Sequence, residues 1–334
     1  MKAAILAPVA WRTPPRHYGP WEQVASNIAE GLIKHGVDVT LFATGDSITA
    51  GTLQSVCAQG YEEDRSQDAK VLECLHISNL MEQAGDFDII HNNFDFLPLS
   101  YTGLIKTPVI TTIHGFSSQR IIPVYKKYNK RGHYVSISNA DRSPELDYLA
   151  TVYNGLDTKD FNFTEKPNDY LVYFGRIHHD KGAAEAIEIA KKSNRKLLMA
   201  GIIQDENYWR EKVEPHLNDQ IQYVGQAGPE KRNDLLGNAA ALLHPINFAE
   251  PFGMSIAESM LCGTPVIAFN KGSMPELIQD EKTGFLVSTV DEAVEAIEQL
   301  GTINRNDCSE WAKSKFSKEK MAADYFELYK KILG

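Results

Sequence analysis

Two stretches carry side chains suited to an anion that also bears hydroxyl groups. The first is Gly175-Arg176-Ile177-His178-His179-Asp180-Lys181-Gly182. It places a guanidinium and an ammonium five residues apart, where an apolar strand run at 171–174 gives way to a helical pattern. Arginine offers a planar fork and lysine a compact charge, and across such a turn both can converge on one phosphate. It is not a Walker A loop, because no Ser or Thr follows Lys181. The second stretch is Ala249-Glu250-Pro251-Phe252-Gly253-Met254-Ser255-Ile256-Ala257-Glu258. It follows the apolar run 240–244 and opens into a helix that Gly263-Thr264-Pro265 stops. A strand, a glycine turn and a helix start form an anion site, because the first helical N–H groups have no intrahelical partner. Glu250 and Glu258, eight residues apart, flank that turn. Two acids would repel a bare phosphate, whereas a nucleotide-sugar accounts for everything present. Its diphosphate meets the cations and amides, and its ribose and hexose hydroxyls donate to the carboxylates. The plainer alternatives are solvated cations at 176 and 181, a helix cap at Glu250 and a solvent-facing acid at Glu258.

The surrounding chain reads as the frame for such a site. Apolar runs at 3–7, 37–42, 88–91, 108–114, 134–138 and 150–156 alternate mostly with helical patterns, such as the one carrying Trp21, Val24, Ile28 and Leu32. Residues 46–85 are polar apart from a helical pattern near 69–83. A polar linker at 157–169 precedes a second series of runs at 171–174, 196–200, 221–224, 240–244, 266–269 and 284–287. The chain is therefore α/β, with two open parallel sheets of about six strands each. A cleft between their facing carboxyl edges is the expected ligand site. The end is helical, and Met321, Tyr325, Leu328, Tyr329 and Ile332 form a stripe expected to be core. His91 and His114 end strands at the carboxyl rim, where ligands bind; Gly115 leaves the His114 imidazole at that rim, whereas His91, before the polar pair Asn92-Asn93, reads more simply as a structural histidine. Gly19 ends the first loop, either as a turn glycine or where backbone comes close to another group. No dinucleotide fingerprint G-x-G-x-x-G is present.

Bulk properties set limits. The chain has 334 residues and a net charge of −10, with 34 Lys+Arg against 44 Asp+Glu. That balance argues against nucleic-acid binding, which rests on a basic surface. Cys57, Cys74, Cys262 and Cys308 have no metal-ligand spacing and suit a reducing compartment. The N-terminal apolar run is too short for a signal peptide, and no window approaches a membrane span, so a cytoplasmic protein is expected.

Gly175-Arg176 with Lys181-Gly182, the Glu250-x7-Glu258 stretch and Gly272-x-x-Pro275-Glu276 together resemble the retaining glycosyltransferases of family 4. His114-Gly115 and Tyr153-Asn154-Gly155-Leu156-Asp157 fit the same family, and the resemblance covers nearly the whole chain. It implies the GT-B fold, two Rossmann-like doubly wound domains facing a central cleft. An acceptor-side domain would span 1–156 and a donor domain 157–315, with a helix within 316–334 crossing back. By resemblance Arg176 and Lys181 hold the donor diphosphate and Glu258 the ribose. Glu250 lies by the transferred sugar, as base or as positioning group, with Phe252, Gly253, Met254 and Ser255 facing sugar and phosphate. His114 reaches the sugar, and Gly19 lies near the phosphates. The resemblance further implies transfer of a hexose from a UDP- or GDP-linked donor to a hydroxyl, with retention and without a metal. Arg and Lys take the metal's place, so no cofactor is expected.

Two departures stand out. The family's Gly-Gly in the first loop is Gly19-Pro20 here, which removes one backbone N–H. The donor loop also carries His178-His179, a weak metal pair for want of further ligands at useful spacing. For the acceptor, a sugar, a small molecule or a lipid-linked group met at a membrane surface, the first loop is the expected lining. Arg12 and Arg16 would meet an anion there and Tyr18 would stack on a sugar, with His91 nearby; alternatively that loop packs on its own domain. A sugar-nucleotide epimerase and a non-catalytic nucleotide-sugar sensor are the competing functions. A phosphorylase lacks its pyridoxal phosphate signature.

Overall fold

The computed structural model describes every residue except Tyr18 and Ser117. It forms two compact units, Met1–Leu156 with Lys318–Gly334, and Asp157–Ser317. Among the described residues each unit is built on one parallel sheet, of seven strands in the first and six in the second.

The first sheet contains β1 (Lys2–Leu6), β2 (Asp38–Phe42), β3 (Thr52–Gln54), β4 (Ile89–Asn92), β5 (Val109–Ile113), β6 (His133–Ser136) and β7 (Tyr148–Thr151), in the order β3-β2-β1-β4-β5-β6-β7. β3 lies inside the stretch that reads as polar, and its three residues are too few to show a strand period. Helix α1 (Pro20–Lys34) starts on a proline, whose missing N–H falls where a helix has no internal acceptor for it. Its apolar stripe Val24, Ile28 and Leu32 is fully buried against Ile5, Val39 and Leu41. Helix α2 (Ala69–Glu82) is capped by Asp68 and covers the other face through Leu72, Ile77 and Leu80. A shorter α3 (Ile122–Tyr128) buries Tyr125.

The C-terminal helix, Lys318–Leu333, completes the α1 side of this unit. Met321, Tyr325 and Tyr329 share the core with Val24 and Ile28. Gly31 permits the contact, since a β-carbon there would stand 2.4 Å from Ala322 Cβ. Polar groups lock it in place. His91 Nδ1 lies 2.7 Å from the Tyr329 hydroxyl and Nε2 lies 2.7 Å from Thr112 Oγ1, which is itself 2.6 Å from the Tyr325 hydroxyl. Burial pushes the His91 pKa down to about 3, so the ring is neutral. His91 is therefore a core residue and leaves the set of expected acceptor contacts.

The second sheet contains β8 (Tyr170–Phe174), β9 (Lys196–Ala200), β10 (Ile221–Tyr223), β11 (Ala241–His244), β12 (Val266–Phe269) and β13 (Gly284–Val287), in the order β10-β9-β8-β11-β12-β13. Around it lie α4 (Ala183–Lys192), α5 (Glu206–Tyr208), α6 (Pro229–Gly237), α7 (Met254–Leu261), α8 (Met274–Leu277), α9 (Val290–Glu298) and α10 (Arg305–Phe316). Strand order reverses between β1 and β4 in the first sheet, and between β8 and β11 in the second. At such a switch point neighbouring connections leave in opposite directions and open a crevice at the carboxyl ends. In the second sheet the loops leaving there begin at Gly175 and Pro245. These are the two stretches with the chemistry.

One buried acid makes the first unit sensitive to pH. Glu22, in the first turn of α1, is 3% exposed and accepts the Trp11 N–H at 3.2 Å. Burial raises its pKa from 4.5 to about 7. The folded state thus holds this proton more tightly than the unfolded chain, and stability falls as pH rises through that window. Glu22→Gln keeps an acceptor and removes the charge. Urea titrations should show the variant more stable by roughly 3 kcal/mol above about pH 8, and near wild type at about pH 4.

Candidate functional site

The two loops at the second switch point meet because glycine lets backbone touch backbone. Gly182 has φ 73°, and a β-carbon there would stand 1.8 Å from the Pro245 carbonyl oxygen. Asn247 fastens the contact, its N–H donating to Asp180 O at 2.7 Å and its Nδ2 to His179 O at 3.2 Å. Gly272 has φ 58° and lies against Glu250, whose nitrogen and oxygen would be 2.3 and 2.4 Å from an added β-carbon. Ser273 then donates from its N–H to Glu250 O at 3.0 Å and from its hydroxyl to Phe252 O at 2.9 Å. The Gly272-x-x-Pro275-Glu276 segment is thus a prop for the Glu250 loop. Gly253, at φ 86°, sits at the N-cap of α7.

The side chains these contacts position form two charge pairs. Lys181 is ion-paired with Glu250, their side chains 15% and 12% exposed, and its ammonium lies 4.7 Å from the centre of the Phe248 ring. His244, at the end of β11, brings Nε2 to 3.8 Å from Glu250 Oε2, and that nitrogen has no hydrogen-bond partner among the described residues. Burial, with the Lys181 charge, pushes His244 down to about 3, so it adds no charge. In the second pair Glu258 Oε1 lies 3.1 Å from Arg232 Nη1, and Arg232 lies 4.6 Å over the Phe161 ring. Burial raises the Glu258 pKa and the Arg232 charge opposes that rise. Neither acid is a solvated surface group.

Arg176 donates to Gln204, and its carbonyl accepts the Tyr173 hydroxyl at 2.7 Å. That phenol is raised well above its ordinary range by burial, and it feels the charges of both Arg176 and Glu250. Arg176 and Lys181 leave from the same loop, and it is Lys181 that pairs with Glu250. Chemically, the site holds a cation whose present partner is a carboxylate and a second carboxylate held by its own arginine. It also offers a helix start whose first amides have no intrahelical acceptor.

In the first unit His114 is half-buried after β5. Its Nε2 lies 3.1 Å from Asn93 Oδ1, and its ring stacks on Trp21 at 5.6 Å. Its Nδ1 has no hydrogen-bond partner among the described residues, and burial pushes its pKa down to about 3. Gly19, at φ 151°, faces its own unit, where a β-carbon would lie 2.9 Å from Pro15 Cβ and 3.0 Å from Glu22 Oε2. The first loop also packs on that unit. Arg12 donates from Nε to Pro14 O at 3.0 Å, and Arg16 pairs with Asp46 at 2.9 Å and Glu63 at 2.7 Å. Arg16 is therefore already matched by two acids and is not a free cation for an anionic acceptor. Tyr18 lies outside the described residues.

Sequence reasoning missed Arg232, Gln204 and His244. Arg232 and Gln204 lie on polar segments with no spacing that ties them to Glu258 or Arg176, so only the fold connects them. His244 was within reach, since the rim position that marks His114 marks it too.

The glycine contacts give a direct test. Gly182→Ala meets the Pro245 carbonyl as well as the left-handed backbone cost, whereas Gly225, at φ 79°, has nothing within 4 Å of an added β-carbon. Gly225→Ala should cost about 1 kcal/mol and Gly182→Ala at least about 2 kcal/mol more in denaturant unfolding. Equal losses would refute the close-approach account.

Comparison with known proteins agrees with this architecture. The family model described as glycosyl transferases group 1 matches residues 157–315, and the one described as glycosyltransferase family 4 matches residues 21–160. An uncharacterised glycosyltransferase of Methanocaldococcus jannaschii is 22% identical, over 84% of this chain and 84% of its own length. Among solved structures, AviGT4, a glycosyltransferase involved in avilamycin A biosynthesis, matches with a TM-score of 0.74 at 22% identity, over 100% of this chain and 98% of that one. Anabaena HepE in complex with UDP and glucose matches with a TM-score of 0.73 at 18% identity, over 99% of this chain and 100% of that one. The matched segments run from residue 21 to residue 315, and the chain is a glycosyltransferase with the GT-B fold.

Proposed function

We propose that this enzyme moves a hexose from a UDP- or GDP-linked donor to an acceptor hydroxyl, with retention at the anomeric carbon and without a metal. The observation that carries the reading is the Lys181–Glu250 pair at the switch point, beside the α7 start and the Arg232–Glu258 pair. HepE, which binds UDP and glucose, lends the donor class support.

In this reading the donor diphosphate takes over Lys181, and Arg176 and the first amides of α7 share its charge. Glu250 is then released to accept from a sugar hydroxyl, while Glu258, oriented by Arg232, accepts from the ribose. Retention without a protein nucleophile requires the acceptor to attack on the face that the diphosphate leaves. The bond from the anomeric carbon to the phosphate oxygen breaks, the new bond to the acceptor oxygen forms, and the departing phosphate takes the acceptor's proton. Arg176 and Lys181 stabilise the charge that develops on the leaving group. His114, being neutral, serves as a hydrogen-bonding group for the sugar. The first loop, with Arg12, lines the acceptor, which is a sugar, a small molecule or a lipid-linked group. No helix among the described residues is long and apolar enough to cross a membrane.

Lys181→Ala and Arg176→Ala should each lower turnover by roughly 10²–10³-fold with unchanged circular dichroism. Near-wild-type turnover in either would sink the assignment. A thermal-shift panel of UDP-, GDP- and ADP-sugars identifies the donor by mass-action stabilisation, and NMR of the product reads the anomeric configuration.

A further inference from the structure

The donor loop carries two histidines that sugar transfer leaves unused, and the fold brings them the third ligand that the sequence does not show. Asp205 lies on the segment after β9. One ring nitrogen from each of His178 and His179 and one oxygen of Asp205 all lie within 4.8 Å of one another. Backbone contacts fix this meeting: Ile177 pairs with Ile203 as a parallel bridge, and the N–H groups of Gln204 and Asp205 reach Ile177 O at 3.2 and 3.4 Å. Asp205 is anchored further, because its carboxylate accepts the Tyr208 N–H at 2.9 Å.

The rings are held as well. Their centroids are 4.2 Å apart; the Asp180 carboxylate lies 2.8 Å from His179 Nε2, and the Asp180 N–H donates to His178 Nδ1 at 3.3 Å. A carboxylate on one ring nitrogen orients an imidazole and raises its basicity as a ligand. Two imidazoles and a carboxylate, with His179 well exposed, match the donor set of a zinc-type ion that keeps a position open to water. Zinc–ligand distances of about 2.0–2.2 Å would require these side chains to close in slightly.

We propose that His178, His179 and Asp205 bind a divalent transition-metal ion, which ties the donor loop to the segment after β9. The ion takes no part in the transfer step, and the site stands whether or not the donor assignment holds.

Calorimetric titration of the full chain with zinc chloride, without nucleotide-sugar, tests this. His179→Ala changes an exposed side chain, and Asp205→Asn keeps a cap for Tyr208 while removing the anionic ligand. Each should weaken zinc binding by at least about tenfold, with Asp180→Asn weakening it less, and magnesium chloride should bind far more weakly than zinc. The proposal is overturned if the wild-type chain binds no zinc at millimolar concentration. It is equally overturned if His179→Ala and Asp205→Asn, shown folded by circular dichroism, bind zinc as the wild type does, or if magnesium binds as tightly.

Discussion

The carboxyl edge of the second sheet depends on backbone approaching backbone more closely than a β-carbon permits. Gly182 rests on Pro245, Gly272 on Glu250, and Gly201 on Gly175, where an added carbon would stand 1.8 Å from the carbonyl oxygen. These contacts set the course of three loops. Only then can Lys181 and Glu250, separated by 69 residues, form a pair. Close packing transmits any backbone displacement to the side chains, so the chemistry inherits its precision from positions that carry none.

The charges are arranged around exchange. A largely buried ion pair repays its desolvation only while both partners are present, and removing one strands the other. Lys181 therefore needs an anion at all times, and Glu250 fills that place in the free protein. His244 stands beside the pair as a neutral ring and does not alter the balance. Glu258 is treated differently, because Arg232 gives it a partner of its own and leaves its second oxygen to other donors.

Much of this was legible in the chain. Most strands fall on apolar runs, and the Gly175–Gly182 and Glu250–Glu258 stretches are local patterns at strand ends, so most of the sheet and the site could be read together. What escaped was long-range. Arg232 and Asp205 belong to polar segments, and nothing in their neighbours announces that one holds Glu258 and the other faces His178. His91 failed for a related reason. Its rim position resembles that of His114, but a helix 238 residues away lays the Tyr329 hydroxyl on its ring. Arg16 looked like a free cation because Asp46 and Glu63 are remote in sequence.

The same C-terminal helix has a consequence for synthesis. Met321, Tyr325 and Tyr329 belong to the core of the first unit, yet the ribosome makes them after residues 157–317. The nascent first sheet therefore waits, with its α1 side incompletely covered, while the whole second unit emerges and can fold. Domains on a growing chain usually close in order from the N-terminus. Here the unit begun first is finished last, and the apolar side of its sheet that the last helix covers stays incomplete in that interval.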